Sequence, residues 1–379
     1  MAHSLTFDAV CEPLPGRKWR ARWDRSWPAY EAWFRTRGGD AGPGVETCLA
    51  ALRRHMPELV PVHAALADLC GGGDRARRFL STWCPPAYLG GCSLAARSQD
   101  GVVRLVRNYD LSPELNEGLL LRSEWTGMPV MGMVEFLWGL SDGVNTAGLS
   151  VALAFGGRHE VCEGFGVTTI LRYVLETCTD VPGALCVLGR VPSHMGYNIV
   201  LADHTGAVAS VGLIRGGGMR RMRGGIATNH QHDQRSTSRA AFTRTVERRA
   251  HLEALVARQI SPEELAARFL EPPLFQRDYD RGFGTLFTAE YDPCSGSLVL
   301  KWPGEDWRQS LRKFSEGSRT VDYGVADASE NDLARSLEVL RPFLAAGSGA
   351  AFDAWLVAAR SGTPDWTRFG ALFAAQRGA

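Results

Sequence analysis

A cysteine, an arginine and an aspartate lie close together in one short stretch of this sequence. Asp100-Gly101 separates two apolar runs there, and an Asp-Gly pair between such runs predicts a two-stranded hairpin. Pairing of the two arms would bring the thiol of Cys92 near the guanidinium of Arg107 and the carboxylate of Asp110. A cation and hydrogen-bond donors beside a thiol favour the thiolate, so the pattern predicts a nucleophilic cysteine.

The residues before Cys92 suggest how this cysteine becomes active. Gly90 and Gly91 precede it, and glycine permits backbone shapes that other residues avoid. Cleavage of the Gly91–Cys92 bond would make Cys92 a new N-terminus, whose free α-amino group can act as the general base. We therefore expect a cleavage site between Gly91 and Cys92.

The composition excludes several classes of protein. The chain has 379 residues, of which 45% are hydrophobic and 22% are charged, as is typical of a globular protein. A net charge of +1 gives no field that would attract nucleic acid or an acidic membrane, so we expect neither as a partner. The nine cysteines include no Cys-x-x-Cys pair, and the start of the sequence has no secretory signal pattern, which together favour the reducing cytoplasm.

The order of the predicted elements indicates the architecture. Helical apolar spacing predicts that residues 1–91 form a helical N-terminal segment, either a propeptide or a small subunit. Residues 92–379 should form the catalytic domain, with helices again from about residue 327. Blocks of strands alternate with blocks of helices, which favours antiparallel sheets under helical layers. We therefore predict an α+β fold in which two sheets pack face to face between helices, a four-layer αββα sandwich.

Local patterns give the expected positions of individual elements. The clearest helix begins at Val167, where apolar residues recur every three to four positions, and Ser261 begins another as the N-cap of a capping box. Less regular patterns predict four further elements: a strand over 130–140, a turn over 142–145, a basic loop over 216–223 and a long helix over 238–260.

Four short motifs occur in an order that matches a known family. They are Gly91-Cys92-Ser93, Arg107-Asn108-Tyr109-Asp110, Asp142-Gly143-Val144-Asn145-Thr146-Ala147-Gly148-Leu149 and Thr228-Asn229-His230. With these motifs the sequence resembles the C45 peptidase-like N-terminal-nucleophile (Ntn) hydrolases, the family of isopenicillin N acyltransferase, with choloylglycine hydrolases as more distant relatives. The resemblance implies the αββα Ntn fold, autocatalytic cleavage before the nucleophile, and amide hydrolysis or acyl transfer.

The resemblance also implies a role for each of four matched residues. Cys92 would be the nucleophile, and its new α-amine would be the base. Arg107 would contact the sulfur, and Asp110 would orient the amine. Asn229 would donate a hydrogen bond to the oxyanion, an interaction that is worth about 10²–10³ in rate in other enzymes.

Supporting residues are less well defined by the resemblance. Asn145 would contact substrate or hold its turn, and Arg239 would be a supporting cation. The stretch Leu153-Ala154-Phe155 lacks the second oxyanion asparagine of the choloylglycine-type relatives, so that donor must come from backbone N–H groups or elsewhere. The 91 residues before Cys92 favour the acyltransferase-like branch, in which the N-terminal piece stays bound as a subunit.

These roles predict an enzyme that moves an acyl group from a small-molecule amide or thioester, through a Cys92 thioester, to water or an amine. The alternative is a non-catalytic relative with the same fold that binds a ligand or partner. We expect no cofactor and no metal, although acyl-CoA is a candidate co-substrate and His230-Gln231-His232-Asp233 superficially resembles a metal site. A homo-oligomer is compatible with the sequence, and the cleaved chains should stay associated.

Overall fold

The computed structural model describes residues 4–88, 90–231, 238–279, 283–323 and 349–360. The chain divides into two units, one of residues 3–322 and one of residues 1–2 and 323–379. The larger unit contains two β-sheets, and the other contains helix α10 (Gly349–Arg360). In the described part of the chain, no helix is both long and apolar enough to cross a membrane.

The first sheet of the larger unit has nine strands. They are β1 (Ser4–Cys11), β4 (Leu119–Ser123), β5 (Val130–Glu135), β6 (Gly139–Asn145), β7 (Leu149–Phe155), β8 (Tyr197–Asp203), β9 (Val208–Leu213), β10 (Met219–Met222) and β16 (Gly317–Asp322). Their spatial order is β10-β9-β8-β7-β6-β5-β4-β1-β16, in which β1 and β4 are parallel and the other neighbours antiparallel.

The second sheet is antiparallel and has seven strands. They are β2 (Gly91–Gln99), β3 (Val102–Leu111), β11 (Ile226–Ala227), β12 (Arg277–Asp278), β13 (Phe283–Asp292), β14 (Ser297–Trp302) and β15 (Glu305–Ser310). Six of them follow the order β11-β2-β3-β13-β14-β15, and β12 pairs with β13. The hairpin predicted around Asp100-Gly101 is therefore confirmed as β2 and β3.

Helices cover the outer face of each sheet. The helices of the larger unit are α1 (Arg17–Thr36), α2 (Val45–His55), α3 (Val60–Leu69), α4 (Asp74–Ser81), α5 (Val167–Thr177), α6 (Val181–Arg190), α7 (Ser238–Phe242), α8 (Thr245–Ala257) and α9 (Pro262–Arg268). Helices α5 and α6 contact the first sheet, α8 and α9 contact the second, and β2 packs against β7 and β8 of the opposite sheet. This layer order confirms the predicted αββα sandwich.

Helices α5 and α9 illustrate how the sequence produces these layers. Val167, Ile170 and Val174 lie on one stripe of α5 and are buried in the main apolar core, as their spacing predicts. In α9, the hydroxyl of Ser261 accepts a hydrogen bond of 3.1 Å from the backbone N–H of Glu264, which confirms the predicted cap. Leu265 then packs in a second apolar core between α8, α9 and the β2–β3 hairpin.

The N-terminal segment contains the expected helices and, in addition, a strand that was not predicted. Residues 4–11 form β1, which is inserted between β4 and β16 of the first sheet and buries Phe7 and Ala9. The four helices that follow belong to the same unit as the sheets, and Trp19 and Trp23 of α1 lie in the main core. The described part of this segment, residues 4–88, therefore belongs to the same unit as the two sheets.

Of two local predictions near the middle of the first sheet, one is confirmed only for residues 130–135 and the other is wrong. The strand expected over 130–140 is interrupted by a tight turn in which Phe136 and Leu137 have φ angles of +57° and +69°, values that non-glycine residues rarely adopt. The turn expected over 142–145 lies within β6. Its Asp142 pairs with a buried arginine, and Gly143 allows close packing, because a Cβ there would lie 2.7 Å from Leu175.

Further differences concern breaks and edges. The long helix expected over 238–260 is interrupted at Arg244, whose φ is +51°, so that α7 and α8 are separate. The basic loop expected over 216–223 contains the edge strand β10. Strands β15 and β16 were not predicted, since most of their side chains are exposed and give no apolar alternation.

Candidate active site

The β2–β3 hairpin places the predicted residues side by side. Gly91 pairs with Asp110 and Cys92 with Tyr109 in the antiparallel register. A side chain at position 91 would not fit, because a Cβ there would lie 2.3 Å from Cε2 of Phe283 and 2.9 Å from the carbonyl oxygen of Asp110. The bond between Gly91 and Cys92 is thus held in a narrow space that requires glycine.

The thiol of Cys92 is in contact with a fully buried guanidinium. Nη2 of Arg107 lies 3.3 Å from Sγ, and Nη1 donates to Ser141 Oγ at 2.8 Å and to Asp142 Oδ2 at 2.7 Å. The hydroxyl of Tyr291 donates to the other oxygen of Asp142 at 2.8 Å. These hydrogen-bond partners, which come from both sheets, hold the guanidinium of Arg107 against the sulfur.

Burial controls the protonation state of the thiol. It raises the pKa of Cys92 to about 11, and although the charge of Arg107 acts in the opposite direction, it does not compensate. The expected stabilisation of the thiolate by a neighbouring cation is therefore outweighed in this closed site. At neutral pH the thiol keeps its proton, so attack by Sγ requires a base.

The backbone nitrogen of Cys92 is held by Asn229. It donates to Asn229 Oδ1 at 3.0 Å, whereas Nδ2 of the same amide donates to the carbonyl oxygen of Phe155 at 3.2 Å. Asn229 follows β11, which pairs with β2, and its own N–H donates to Thr245 Oγ1 at 2.7 Å. The predicted asparagine thus lies next to the atom that would become the α-amine.

Arg248 is a site residue that the sequence analysis missed. It is fully buried, and its Nη1 donates to the carbonyl oxygen of Cys92 at 2.7 Å and to Ser93 Oγ at 2.8 Å. Its Nη2 donates to Asn229 Oδ1 at 2.7 Å, and Nε donates to the carbonyl oxygen of Thr243 at 2.9 Å. One guanidinium therefore connects the backbone of the cysteine to Asn229.

The signal for Arg248 was present in the sequence. Arg248, Leu252 and Leu255 recur at helical spacing on the buried face of α8. An arginine on an apolar stripe must find partners in the interior, because an unpaired buried charge is costly. Arg239, which the resemblance suggested as the supporting cation, has a side chain outside the described residues.

Asp110 contacts the cysteine indirectly. Its Oδ1 accepts from Thr285 Oγ1 at 2.7 Å, and its Oδ2 lies 3.4 Å from Nη1 of Arg248. Burial raises the pKa of Asp110, and the charge of Arg248 opposes that shift. Arg248 thus contacts both the carboxylate of Asp110 and the carbonyl oxygen of Cys92, which links the two residues.

The remaining predicted positions lie elsewhere or are only partly described. The side chain of Asn145 donates to the carbonyl oxygens of Leu175 and Cys178, both at 2.8 Å, and accepts from Leu149 N at 3.0 Å. It therefore ties the end of α5 to the β6–β7 turn. His230 Nδ1 lies 2.9 Å from Thr245 Oγ1, and the other two candidate metal ligands of that run are outside the described residues.

Two facing sheets between helical layers, with this cysteine at the start of an inner strand, define the Ntn-hydrolase class of fold. The family model of acyl-coenzyme A:6-aminopenicillanic acid acyl-transferase matches residues 97–307, more than half of the chain, and the chain belongs to that family. It is therefore an enzyme of the amide-hydrolysing or acyl-transferring type. The matched range includes Arg107, Asp110, Asn229 and Arg248, and it begins just after Cys92.

Several solved structures are also similar to this chain, each at 14% identity. Conjugated bile acid hydrolase from Clostridium perfringens aligns with 62% of this chain and 97% of its own, at a TM-score of 0.45. Penicillin V acylase from Agrobacterium tumefaciens aligns with 62% of this chain and 93% of its own, at a TM-score of 0.42. The N-acylethanolamine-hydrolyzing acid amidase ortholog of Caenorhabditis elegans aligns with 54% of this chain and 93% of its own, at a TM-score of 0.39. No curated protein sequence matches the chain.

Proposed function

We propose that Cys92 is the nucleophile of an acyl-transferring enzyme that is activated by cleavage of its own Gly91–Cys92 bond. One observation carries this proposal: three separate polar groups hold the three polar atoms of Cys92. Arg107 contacts Sγ, Asn229 accepts from the nitrogen, and Arg248 donates to the carbonyl oxygen. A cysteine that served only packing would not need this arrangement.

The activating step is an acyl shift within the chain. Sγ adds to the carbonyl carbon of Gly91, the C–N bond breaks, and the nitrogen of Cys92 takes up the thiol proton. Water then hydrolyses the Gly91 thioester, which leaves a carboxylate on Gly91 and a free α-amine on Cys92. Gly91 lies in strand β2 opposite Asp110, where only glycine fits beside Phe283, so the bond to be cleaved is held in the strand.

Turnover repeats the same chemistry on a separate substrate. The α-amine accepts the thiol proton, Sγ attacks the acyl carbonyl of an amide or thioester, and the leaving group departs with that proton. Water or an amine then attacks the Cys92 thioester and releases the acyl group. Asn229 is proposed as an oxyanion donor, because an amide NH₂ has two hydrogens and Phe155 uses one.

We expect the mature protein to consist of residues 1–91 and 92–379 in one particle. Strand β1 is held between two strands of the second piece, and α1 contributes buried tryptophans to the shared core, so the pieces should not separate. Intact mass under denaturing conditions should show two chains, and native size-exclusion should show them eluting together. A fully active protein with a single full-length mass would contradict the cleavage, and separate elution would contradict the association.

We expect Asn229→Ala to lower the rate of acyl transfer by about 10²–10³, the usual effect of losing one preorganised oxyanion donor. The measurement is kcat with a chromogenic anilide on cleaved protein, after folding has been checked by the thermal transition. Asn145→Ala is the matched control, because that buried amide holds backbone carbonyls at the end of α5. The control should lose thermal stability and keep kcat, whereas an unchanged kcat in Asn229→Ala would remove Asn229 from this role.

A further inference from the structure

Asp142 is a buried carboxylate beside the reactive cysteine that the proposed mechanism does not use. It lies in β6 of the first sheet and is fully buried. Its Oδ2 accepts from Nη1 of Arg107 at 2.7 Å, and its Oδ1 accepts from the hydroxyl of Tyr291 at 2.8 Å and from the backbone N–H of Met133 at 3.2 Å. The three donors come from three different strands, so the carboxylate has a fixed position between the two sheets.

This fixed carboxylate determines where the guanidinium of Arg107 lies. Because a guanidinium is planar and rigid, the hydrogen bonds from Nη1 to Asp142 and Ser141 also set the position of Nη2, which lies 3.3 Å from Sγ of Cys92. One face of the guanidinium packs on the ring of Tyr109, with 4.3 Å between Cζ and the ring centroid. The contact between Arg107 and the sulfur is therefore set by the opposite sheet.

The same contact divides the positive charge of Arg107 between two partners. Burial lowers the pKa of Arg107, but the negative charges of Cys92 and Asp142 outweigh burial and raise it. A cation that already neutralises one carboxylate attracts a second anion less, because the second anion also meets the field of the first. Burial raises the pKa of Cys92 to about 11, and the shared cation does not bring it back down.

Other groups around the sulfur add to this balance. The charges of Asp110 and Glu135 act against a thiolate at Cys92, whereas the charge of Arg248 favours it. The hydroxyls of Tyr109 and Tyr291 face the guanidinium and its carboxylate, and burial raises the pKa of each, so both are neutral at physiological pH. In the described part of the chain, the main charges that act on Cys92 or on its guanidinium partner are those of Asp110, Glu135, Asp142, Arg107 and Arg248. Since carboxylates outnumber guanidiniums in this set, a thiolate needs a further cation.

The α-ammonium of turnover supplies that cation. When the α-amine of Cys92 accepts the thiol proton, the positive charge and the thiolate belong to the same residue. The ammonium then provides the attraction that Asp142 withdraws from Arg107. Loss of the thiol proton thus depends on an α-amine that exists only after cleavage.

We propose that Asp142 is a positioning residue with two linked effects on the nucleophile. It holds Arg107 on the sulfur, and it neutralises part of the Arg107 charge, so that the thiol of Cys92 gives up its proton to the α-amine. Asp142 acts on the nucleophile through Arg107, and this role rests on the function proposed above for Cys92.

The test follows alkylation of Cys92 by iodoacetamide against pH in the mature protein, with the modified cysteine identified by peptide mass. Asp142→Asn keeps the size of the side chain and removes its charge, which leaves the whole charge of Arg107 to favour the thiolate. We expect the pH midpoint of alkylation to fall by about one unit, as for removal of a nearby like charge. We expect kcat with a chromogenic anilide to fall by about 10-fold to 100-fold, because Arg107 is no longer firmly placed.

Ser141→Ala is the matched control, because Ser141 is buried and accepts from the same Nη1 at 2.8 Å without carrying a charge. The control should keep the wild-type midpoint. Tyr291→Phe extends the test to a variant that keeps every charge and the aromatic ring. Without the hydroxyl, the carboxylate of Asp142 depends more on Arg107, so the midpoint should move the other way, to higher pH. If Asp142→Asn does not fold, a Tyr291→Phe midpoint at or below the wild-type value overturns the inference.

The outcomes separate this inference from the proposed function. If Cys92 of the wild-type protein forms no acyl thioester during turnover, as read by intact mass, the proposed function fails and the inference fails with it. If Cys92 is acylated but a folded Asp142→Asn variant keeps the wild-type midpoint, only the inference is overturned. A loss of thermal stability without a shift of the midpoint would leave Asp142 with a purely structural role.

Discussion

Replacing Cys92 by alanine is expected to give a folded protein that neither cleaves after Gly91 nor transfers an acyl group. Both reactions need a nucleophilic atom at the same position, and alanine has none. The loss of stability should be modest, because Sγ accepts one hydrogen bond from the described residues, from Nη2 of Arg107, and the removed volume is that of one sulfur atom. Cys92→Ser keeps a weaker oxygen nucleophile and should retain slow cleavage by an N-to-O acyl shift.

Cys48→Ala provides a matched control for this experiment. Cys48 and Cys92 are each 1% exposed, so the two substitutions remove the same group from equally buried positions. Thermal transitions would verify folding, denaturing mass would report cleavage, and capture of an acyl thioester would report the nucleophile. We expect both variants to be folded and only Cys48→Ala to be cleaved and acylated. A folded Cys92→Ala variant that still cleaves after Gly91 and turns over substrate would mean that another residue is the nucleophile.

The sequence was most informative where local chemistry decides the structure. Asp100 and Gly101 have φ angles of +52° and +78°, the left-handed conformation that a tight hairpin turn requires and that Asp-Gly readily adopts. That turn sets the register, and the register alone brings Gly91 opposite Asp110. The spacing of apolar residues in α5 was equally reliable, because a helix with one buried face must repeat at that period.

Prediction failed where tertiary contacts override local preference. Asp142 and Gly143 are typical turn residues, yet they lie in a buried strand, where one binds Arg107 and the other makes room for α5. The turn at Phe136 and Leu137 consists of residues that rarely form turns, so no local signal marks it. In both cases the structure is decided by a contact with a residue that is distant in sequence. One amino-acid sequence on its own does not reveal which distant residues form such contacts.

The site shows the same division between local and long-range information. Cys92 and Arg107 are close in sequence and were predicted from one hairpin. Arg248 comes from a helix on the outer face of the second sheet, and its bond to the Cys92 carbonyl joins positions 156 residues apart. The helical spacing of α8 marks Arg248 as buried, but its partners become evident only when the helix is docked on the hairpin.

Arg248→Gln is expected to abolish cleavage and turnover and to destabilise the protein by about 3–5 kcal/mol, because Asp110 would then remain buried without its cation. Arg248→Lys tests the role in a protein that keeps the charge. A lysine ammonium cannot reproduce the fork that spans Cys92 O and Asn229 Oδ1, so both acceptors lose their fixed geometry. We expect kcat to fall by about 100-fold, as when reacting groups are slightly misplaced, with a smaller change in KM.

Arg249→Lys is the matched control, since the two arginines are adjacent on α8 and both are at least nine-tenths buried. Arg249 contacts Glu253 and lies 3.4 Å from the carbonyl oxygen of Ile226, so its replacement removes a similar side chain without touching Cys92. If Arg248 only stabilised the fold, the two variants would lose activity in proportion to their thermal stability. A positioning role instead predicts that Arg248→Lys loses kcat and slows cleavage at a temperature where both variants are fully folded. Equal kcat values in the two variants would leave Arg248 with a purely structural function.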